Sequence, residues 1–277
     1  MKHVAIVGGL GNQMFQYSYF LVLKKKFKYI EIFFPENKWE HSGGFELERV
    51  FNITHSPSIW EKLYQKGFPF TRIFHILHKK YSGLNFRFKE EDLHPDKSFK
   101  YFYGTWQSEK YFLYPDLIRK SFKFNEKNLS VKTISIANTL RGEKLWISIH
   151  IRRGDYLSEN FKNGFGNVCD LEYYKRAIDF FNKKFENPAF VFFSDDIDWV
   201  KYNFYNPAYI FVDHNIGLDS WQDMYLMSLC QHNIIANSTF SWWGAWLNQN
   251  PDKIIIAPKT WWNGIKDDVV PESWIRI

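Results

Sequence analysis

At 277 residues, 45 % of them apolar and 20 % aromatic, the chain has ample material for the core of one large domain or two of ordinary size. No apolar run reaches the length of a membrane span, the first residues pass directly into a strand and a glycine turn, and Cys169 and Cys230 read as free thiols. The expectation is a cytoplasmic protein, neither integral to a membrane nor secreted, whose net charge of +6 suits an anionic ligand or peripheral contact with an anionic inner membrane face.

Taken in order, residues 3–7 read as a strand, 8–11 as a glycine turn, 12–25 as a helix with Met14, Tyr17 and Leu21 on one face, and 29–34 as a second strand. This βαβ opening invites a dinucleotide reading, but the fingerprint fails: Met14 stands where a third glycine is needed, and Glu31 lies inside the second strand rather than at its end. Residues 35–95 are aromatic, basic and broken by Gly and Pro, with short helices expected at 58–64 and 72–79. A strand opens at Tyr101, helices are expected at 113–122 and 129–140, and Arg141-Gly142-Glu143-Lys144 reads as a helix stop and a domain boundary. The domains are therefore placed at 1–143 and 144–277.

The second half alternates strands (145–151, 189–193, 209–212, 233–236, 253–257) with helices (172–185, 198–203, 221–230, 241–248), the pattern of a parallel sheet covered by helices. The expected class is α/β, with two domains and a cleft between them.

The most informative stretch is 147–156, ISIHIRRGDY. Ile147, Ile149 and Ile151 alternate as in a buried strand, which then runs into two guanidiniums, a glycine and a carboxylate. Ligands of open α/β sheets bind beyond the carboxyl ends of strands, so Arg152 and Arg153 there point to an anion, foremost a phosphate. Three more strand ends carry polar groups: Ser194-Asp195-Asp196, then Asp213-His214 leading to Asp219 and Asp223, then Asn237-Ser238-Thr239-Phe240-Ser241 at the start of a helix. Ser194-Asp195, Ser238 and Thr239 each also read as ordinary helix caps. Their occurrence on one sheet edge favours a ligand site, because free N–H groups and hydroxyls at a helix start, together with an Arg fork, hold a diphosphate without a metal. No metal-ligand spacing is present, the basic residues are scattered without a nucleic-acid pattern, and the Arg153-Gly154-Asp155 tripeptide reads as a chance adhesion match. Trp242 and Trp246, four apart on a helix, read as core.

HIRRGDY at 150–156 closely resembles the HxRRGDY signature of the bacterial α-1,2-fucosyltransferases of glycosyltransferase family 11. GGLGNQMFQY at 8–17, YGTWQSEKYF at 103–112, FSDD at 193–196 and NSTFSWWGAWL at 237–247 resemble the same family, in order and across essentially the whole chain. The resemblance implies a GT-B fold, two Rossmann-like domains facing a cleft, with GDP-β-L-fucose as donor held mainly by the C-terminal domain. It implies no metal or other cofactor, inversion to an α-fucoside, and a terminal β-galactose accepting at its 2-hydroxyl. That acceptor is expected on a surface polysaccharide of the O-antigen kind, free or lipid-linked.

By the same resemblance Arg152 meets the β-phosphate, His150 and Asp223 address ribose or guanine, and Ser238, Thr239 and Ser241 hold phosphate. Arg153, Asp195 and Asn237 complete the expected donor site. Asn12 faces fucose or the acceptor hydroxyl, and Trp106 and Gln107 are expected to contact the acceptor. Asp155 is the nominated base for the acceptor proton, with Glu159 as substitute; the competing role for Asp155 is to orient Arg152 or Arg153. Alternatives to this function are a fucosyltransferase of another linkage and a non-catalytic GDP-sugar-binding module.

Overall fold

The computed structural model describes residues 1–35, 44–68, 79–83 (backbone only), 86–159 and 161–277. It divides into two compact units, Met1–Asn125 and Glu126–Ile277. The boundary thus falls earlier than the 143/144 position expected from the Arg141–Lys144 stop signal. That signal ends a helix, α6 (Val131–Leu140), but the helix belongs to the second unit. Ser130 N donates to Gln222 Oε1 (2.8 Å), Thr133 Oγ1 to Asn215 Oδ1 (3.0 Å) and Arg141 Nη2 to the Tyr225 hydroxyl (2.7 Å).

The first unit is a four-stranded parallel sheet of β1 (Lys2–Ala5), β2 (Ile30–Phe33), β3 (Lys79–Gly83) and β4 (Tyr101–Gly104), in the order β2-β1-β4-β3. Helix α1 (Leu10–Lys24) is buried on nearly every side rather than along one stripe, as its run of Met14, Phe15, Tyr19, Phe20, Leu21 and Val22 requires. It begins at Leu10, ahead of the expected start, so Asn12 lies in its first turn. Short helices α2 (Glu46–Phe51), α3 (Ile59–Gln65), α4 (Glu90–Leu93) and α5 (Pro115–Ser121) complete the unit. Asn52 closes α2 at φ 56°, the left-handed stop that Asn accepts. The helix expected at 72–79 lies outside the described residues save Lys79, which opens β3.

The second unit is a six-stranded parallel sheet of β5 (Trp146–Ile151), β6 (Ala189–Ser194), β7 (Ile210–Val212), β8 (His232–Ile234), β9 (Ile255–Ala257) and β10 (Ile275–Arg276), ordered β10-β9-β8-β5-β6-β7. β5 is central, its six residues all buried. On one face Ile147, Ile149 and Ile151 pack with Tyr173, Tyr174, Ala177 and Phe181 of α7 (Leu171–Lys184). On the other, Asn233 Nδ2 donates to Ser148 Oγ (2.7 Å) and Asn248 Nδ2 to Asn233 Oδ1 (2.8 Å), a buried polar chain whose members satisfy one another. Helices α8 (Ile197–Phe204), α9 (Trp221–Leu229) and α10 (Thr239–Leu247) follow β6, β7 and β8. α9 and α10 approach so closely that a Cβ on Gly244 would lie 2.9 Å from Met227 Cβ. Trp242 and Trp246 are core residues, as their spacing predicts.

Candidate active site

Because all strands of the second unit run parallel, the ends of β5, β6, β7 and β8 share one edge, and register sets the neighbours there. Ile151 of β5 pairs with Ser194 of β6, so the next residues along, Arg152 and Asp195, meet. Asp195 is the pivot. Its Oδ2 receives Arg152 Nη1 (3.1 Å) and its Oδ1 the backbone N–H of Arg153 (2.9 Å). A second carboxylate, Asp155 on the short turn after Gly154, accepts Arg152 Nε (2.9 Å) and Nη2 (2.8 Å), both on Oδ1. Burial works against the Arg152 charge, but Asp195 and Asp155 outweigh it and hold the guanidinium firmly ionised. Gly154 is required by contact: a Cβ there would stand 2.7 Å from Asp195 Oδ2.

Asp195 and Arg153, both expected at the donor site, are engaged within the protein. The Asp195 oxygens are directed at the Arg152 guanidinium and the Arg153 backbone, which places the arginine. Arg153 turns away: its Nε is paired with Asp196 Oδ2 (2.9 Å) and its guanidinium lies over Trp199 at 3.9 Å from the ring centre. Glu159 is not brought to Arg152; its exposed carboxylate points to Lys162 at 4.0 Å.

His150, one residue before Ile151, is 6 % exposed, and its Nδ1 has no hydrogen-bond partner among the described residues. Burial, opposed by Asp195 and reinforced by Arg152, lowers its pKa to about 4, so the imidazole is neutral at physiological pH. At the β8 end, Ser238 caps α10 by accepting Phe240 N–H (3.3 Å), and Thr239 is half-buried in the first turn. Ser241 faces inward. The helix starts at Thr239, which puts Ser241 inside, fully buried, with its hydroxyl donated back to Ala236 O (3.4 Å) and Ser238 O (3.3 Å). Asn237 is likewise structural. Its amide donates to Phe165 O (3.0 Å) and Trp261 O (3.2 Å), and its backbone carbonyl accepts the Tyr156 hydroxyl (3.0 Å), tying the Arg152 turn to the β8 end.

Asp223, in the first turn of α9, accepts Asn215 Nδ2 (2.8 Å); Asn215 Oδ1 in turn accepts Thr133 Oγ1 (3.0 Å). Burial pushes its pKa up to about 8, against the opposing effect of the Asn215 bond. In the first unit, Gln107 Nε2 donates to Asn12 Oδ1 (2.8 Å), uniting two residues expected at the site. Trp106 is different: 3 % exposed and stacked on Tyr19 with ring centres 4.0 Å apart, it is a core residue and offers no face to a sugar. Tyr156 and Gly154 went unassigned although both lie within the RRGDY motif. The glycine beside a crowded strand end was the readable signal.

The sequence profile of Glycosyl transferase family 11 matches residues 1–276. The chain belongs to glycosyl transferase family 11. Among family relatives, an "Alpha-1,2-colitosyltransferase" of Escherichia coli is 34 % identical over 98 % of this chain and 97 % of its own. The "O-antigen biosynthesis glycosyltransferase WbnK" of Escherichia coli is 31 % identical over 98 % of each. The human "Galactoside alpha-(1,2)-fucosyltransferase 1" is 28 % identical over 47 % of this chain and 38 % of its own. The solved structure of NodZ α-1,6-fucosyltransferase soaked with GDP-fucose superposes with TM-score 0.52 at 17 % identity, over 88 % of this chain and 91 % of that one. The fold of this family 11 glycosyltransferase is thus α/β of the GT-B type. Among the described residues no cluster of three or more His, Cys, Asp or Glu side chains could hold a metal ion, and no helix is long and apolar enough to cross a membrane.

Proposed function

We propose that this enzyme transfers L-fucose from GDP-β-L-fucose, with inversion, to the 2-hydroxyl of a terminal β-galactose during synthesis of an O-antigen-like surface polysaccharide. The observation that carries the reading is Arg152, fixed at the carboxyl end of the central strand by Asp195 and Asp155, in a chain matched end to end by its family. The activities named for the relatives support the sugar, the linkage and the pathway class.

In the reaction the acceptor oxygen bonds to the anomeric carbon as the bond to the β-phosphate oxygen breaks, and GDP leaves with the electron pair. Negative charge grows on the diphosphate in the transition state, and a pre-positioned guanidinium stabilises it there more than in the ground state. The α10 N-terminus, with Ser238 and Thr239, adds N–H and hydroxyl donors. A neutral His150 beside Arg152 adds no competing charge, and together with Asp223 it is assigned to the nucleoside. Asp155 Oδ1 already serves Arg152, which leaves Oδ2 to take the acceptor proton. The acceptor is a free or lipid-linked glycan, and the net charge of +6 suits peripheral contact with an anionic membrane.

One finding favours a second donor: the colitosyltransferase relative. Colitose is fucose without its 3-hydroxyl, so the diphosphate chemistry would be unchanged. The test is transfer from GDP-fucose and GDP-colitose to lactose and N-acetyllactosamine in EDTA, with the product linkage read by NMR. Fucose on galactose O2, lost in Arg152→Ala, is the expected result. Another hydroxyl overturns the linkage, preference for GDP-colitose overturns the donor, and inhibition by EDTA overturns metal independence.

A further inference from the structure

The first unit carries a local arrangement that its stability does not call for. Asn12 sits in the first turn of α1, half-exposed, at the positive end of the helix. Three separate devices fix its side chain. Gly8, at φ +80°, leaves the space the amide uses: a Cβ there would lie 3.1 Å from Asn12 Nδ2. Gln107 Nε2 holds Asn12 Oδ1 at 2.8 Å from a position that is 6 % exposed. Trp106 adopts φ 45°, a left-handed conformation unfavourable for an aromatic residue by about 1–2 kcal/mol, and Ser108 N–H closes the tight turn onto Trp106 O (2.8 Å). That turn aims Gln107 back at the helix start.

Three consecutive residues of this turn strand polar atoms. Thr105 Oγ1, Trp106 Nε1 and Gln107 Oε1 are buried with no hydrogen-bond partner among the described residues. Strain and unmet polar groups concentrated behind one asparagine are the mark of a site that fixes a side chain at the expense of stability.

We infer that Gln107 is a positioning residue for the transfer reaction, holding Asn12 by its carbonyl oxygen so that Asn12 Nδ2 is presented as a hydrogen-bond donor to a substrate oxygen. Asn12 so held cannot accept the acceptor proton, which leaves that task to a carboxylate. Gln107, expected to contact the acceptor itself, acts through Asn12. The inference rests on the proposed fucosyl transfer for its readout.

The test compares Gln107→Glu with Gln107→Met. A carboxylate only accepts, so the one introduced by Gln107→Glu would draw Asn12 Nδ2 toward itself and present Oδ1 to the substrate; methionine would merely release the amide. The expected result is a kcat lowered about 100-fold in Gln107→Glu, as for loss of one aimed transition-state donor, and matched by Asn12→Asp. Gln107→Met should be milder, with the KM for GDP-fucose within a few-fold of the parent in each. Wild-type kcat in Gln107→Glu overturns the inference. So do losses that are equal in the two variants and follow the melting temperature, which is the behaviour of a packing residue. If the unaltered enzyme transfers nothing from GDP-fucose, the function fails rather than the amide pair. The pair is then decided by a melting cycle of Asn12→Ala, Gln107→Ala and their double variant, in which zero coupling overturns it.

Discussion

Arg152 and Asp155 are joined through a single oxygen: both Nε and Nη2 of the guanidinium contact Asp155 Oδ1, at 2.9 and 2.8 Å. The geometry separates two functions that one carboxylate is usually asked to perform in turn. One oxygen orients the cation, and in the proposed reaction the other takes the acceptor proton. The Asp155 side chain is 41 % exposed, whereas Asp195 is engaged at both oxygens.

Asp155→Asn separates these functions. The amide oxygen can still accept from Arg152, but the amide nitrogen cannot take a proton. We expect kcat to fall about 100-fold, the size of a general-base contribution, with the donor KM nearly unchanged. A variant keeping most of its kcat would reduce Asp155 to an orienting group.

Gly154→Ala acts on the other carboxylate. The new methyl would meet Asp195 Oδ2 at 2.7 Å and push it from Arg152. The expected outcome is a kcat at least 10-fold lower and a raised KM for GDP-fucose, with the melting temperature within a few degrees of the parent, because the turn is at the surface. Steady-state kinetics with a melting curve checks both halves. Asp195→Asn should reproduce the kinetic loss without the added volume.

These residues show how far the sequence could be read. The alternation of Ile147, Ile149 and Ile151 located β5, and the parallel pattern placed Arg152, Asp195 and Asn237 on one edge, since strand direction is a consequence of connection length. Nothing local showed which way each side chain would turn. Ser241 looked like a phosphate ligand until the helix start fell at Thr239 and turned its hydroxyl inward. Trp106 looked accessible because its partner, Tyr19, is far away in the chain. The Gln107–Asn12 bond spans 95 positions, beyond any periodicity. The strand Ile275–Arg276 is too short to carry a pattern. The unit boundary was misplaced because a strong helix stop says nothing about which sheet the helix packs on.

Tyr156→Phe tests the tie between the Arg152 turn and the β8 end. It removes one hydroxyl and leaves the Asn237 carbonyl without that donor. The expected loss of stability is about 1–2 kcal/mol, measured by denaturant unfolding. Because the ring also lies 5.7 Å from the Arg152 carbon and remains in place, kcat should fall by no more than a few-fold. A large kinetic loss without destabilisation would give the hydroxyl a direct part in the reaction.

Two groups whose charged forms are disfavoured by desolvation make stability depend on pH in opposite senses. His150 has its pKa depressed from 6.5 to about 4, so between these values the unfolded chain binds more protons, and the His150 contribution is complete above pH 6.5 and lost as the pH falls toward 4. Asp223 has its pKa raised from 3.8 to about 8, so the folded chain binds the extra proton. Its contribution is complete below pH 3.8 and lost as the pH rises through 8. From pH 4 to 6.5 the two slopes oppose each other, and from 6.5 to 8 only Asp223 titrates. The parent enzyme should therefore lose stability between pH 6.5 and 8. Asp223→Asn, which keeps an oxygen for Asn215 Nδ2 and carries no ionisable proton, should remove that loss. Urea unfolding of both proteins at pH 6.5 and 8 gives the comparison, and an identical pH slope in the two would show that Asp223 is already ionised at pH 6.5.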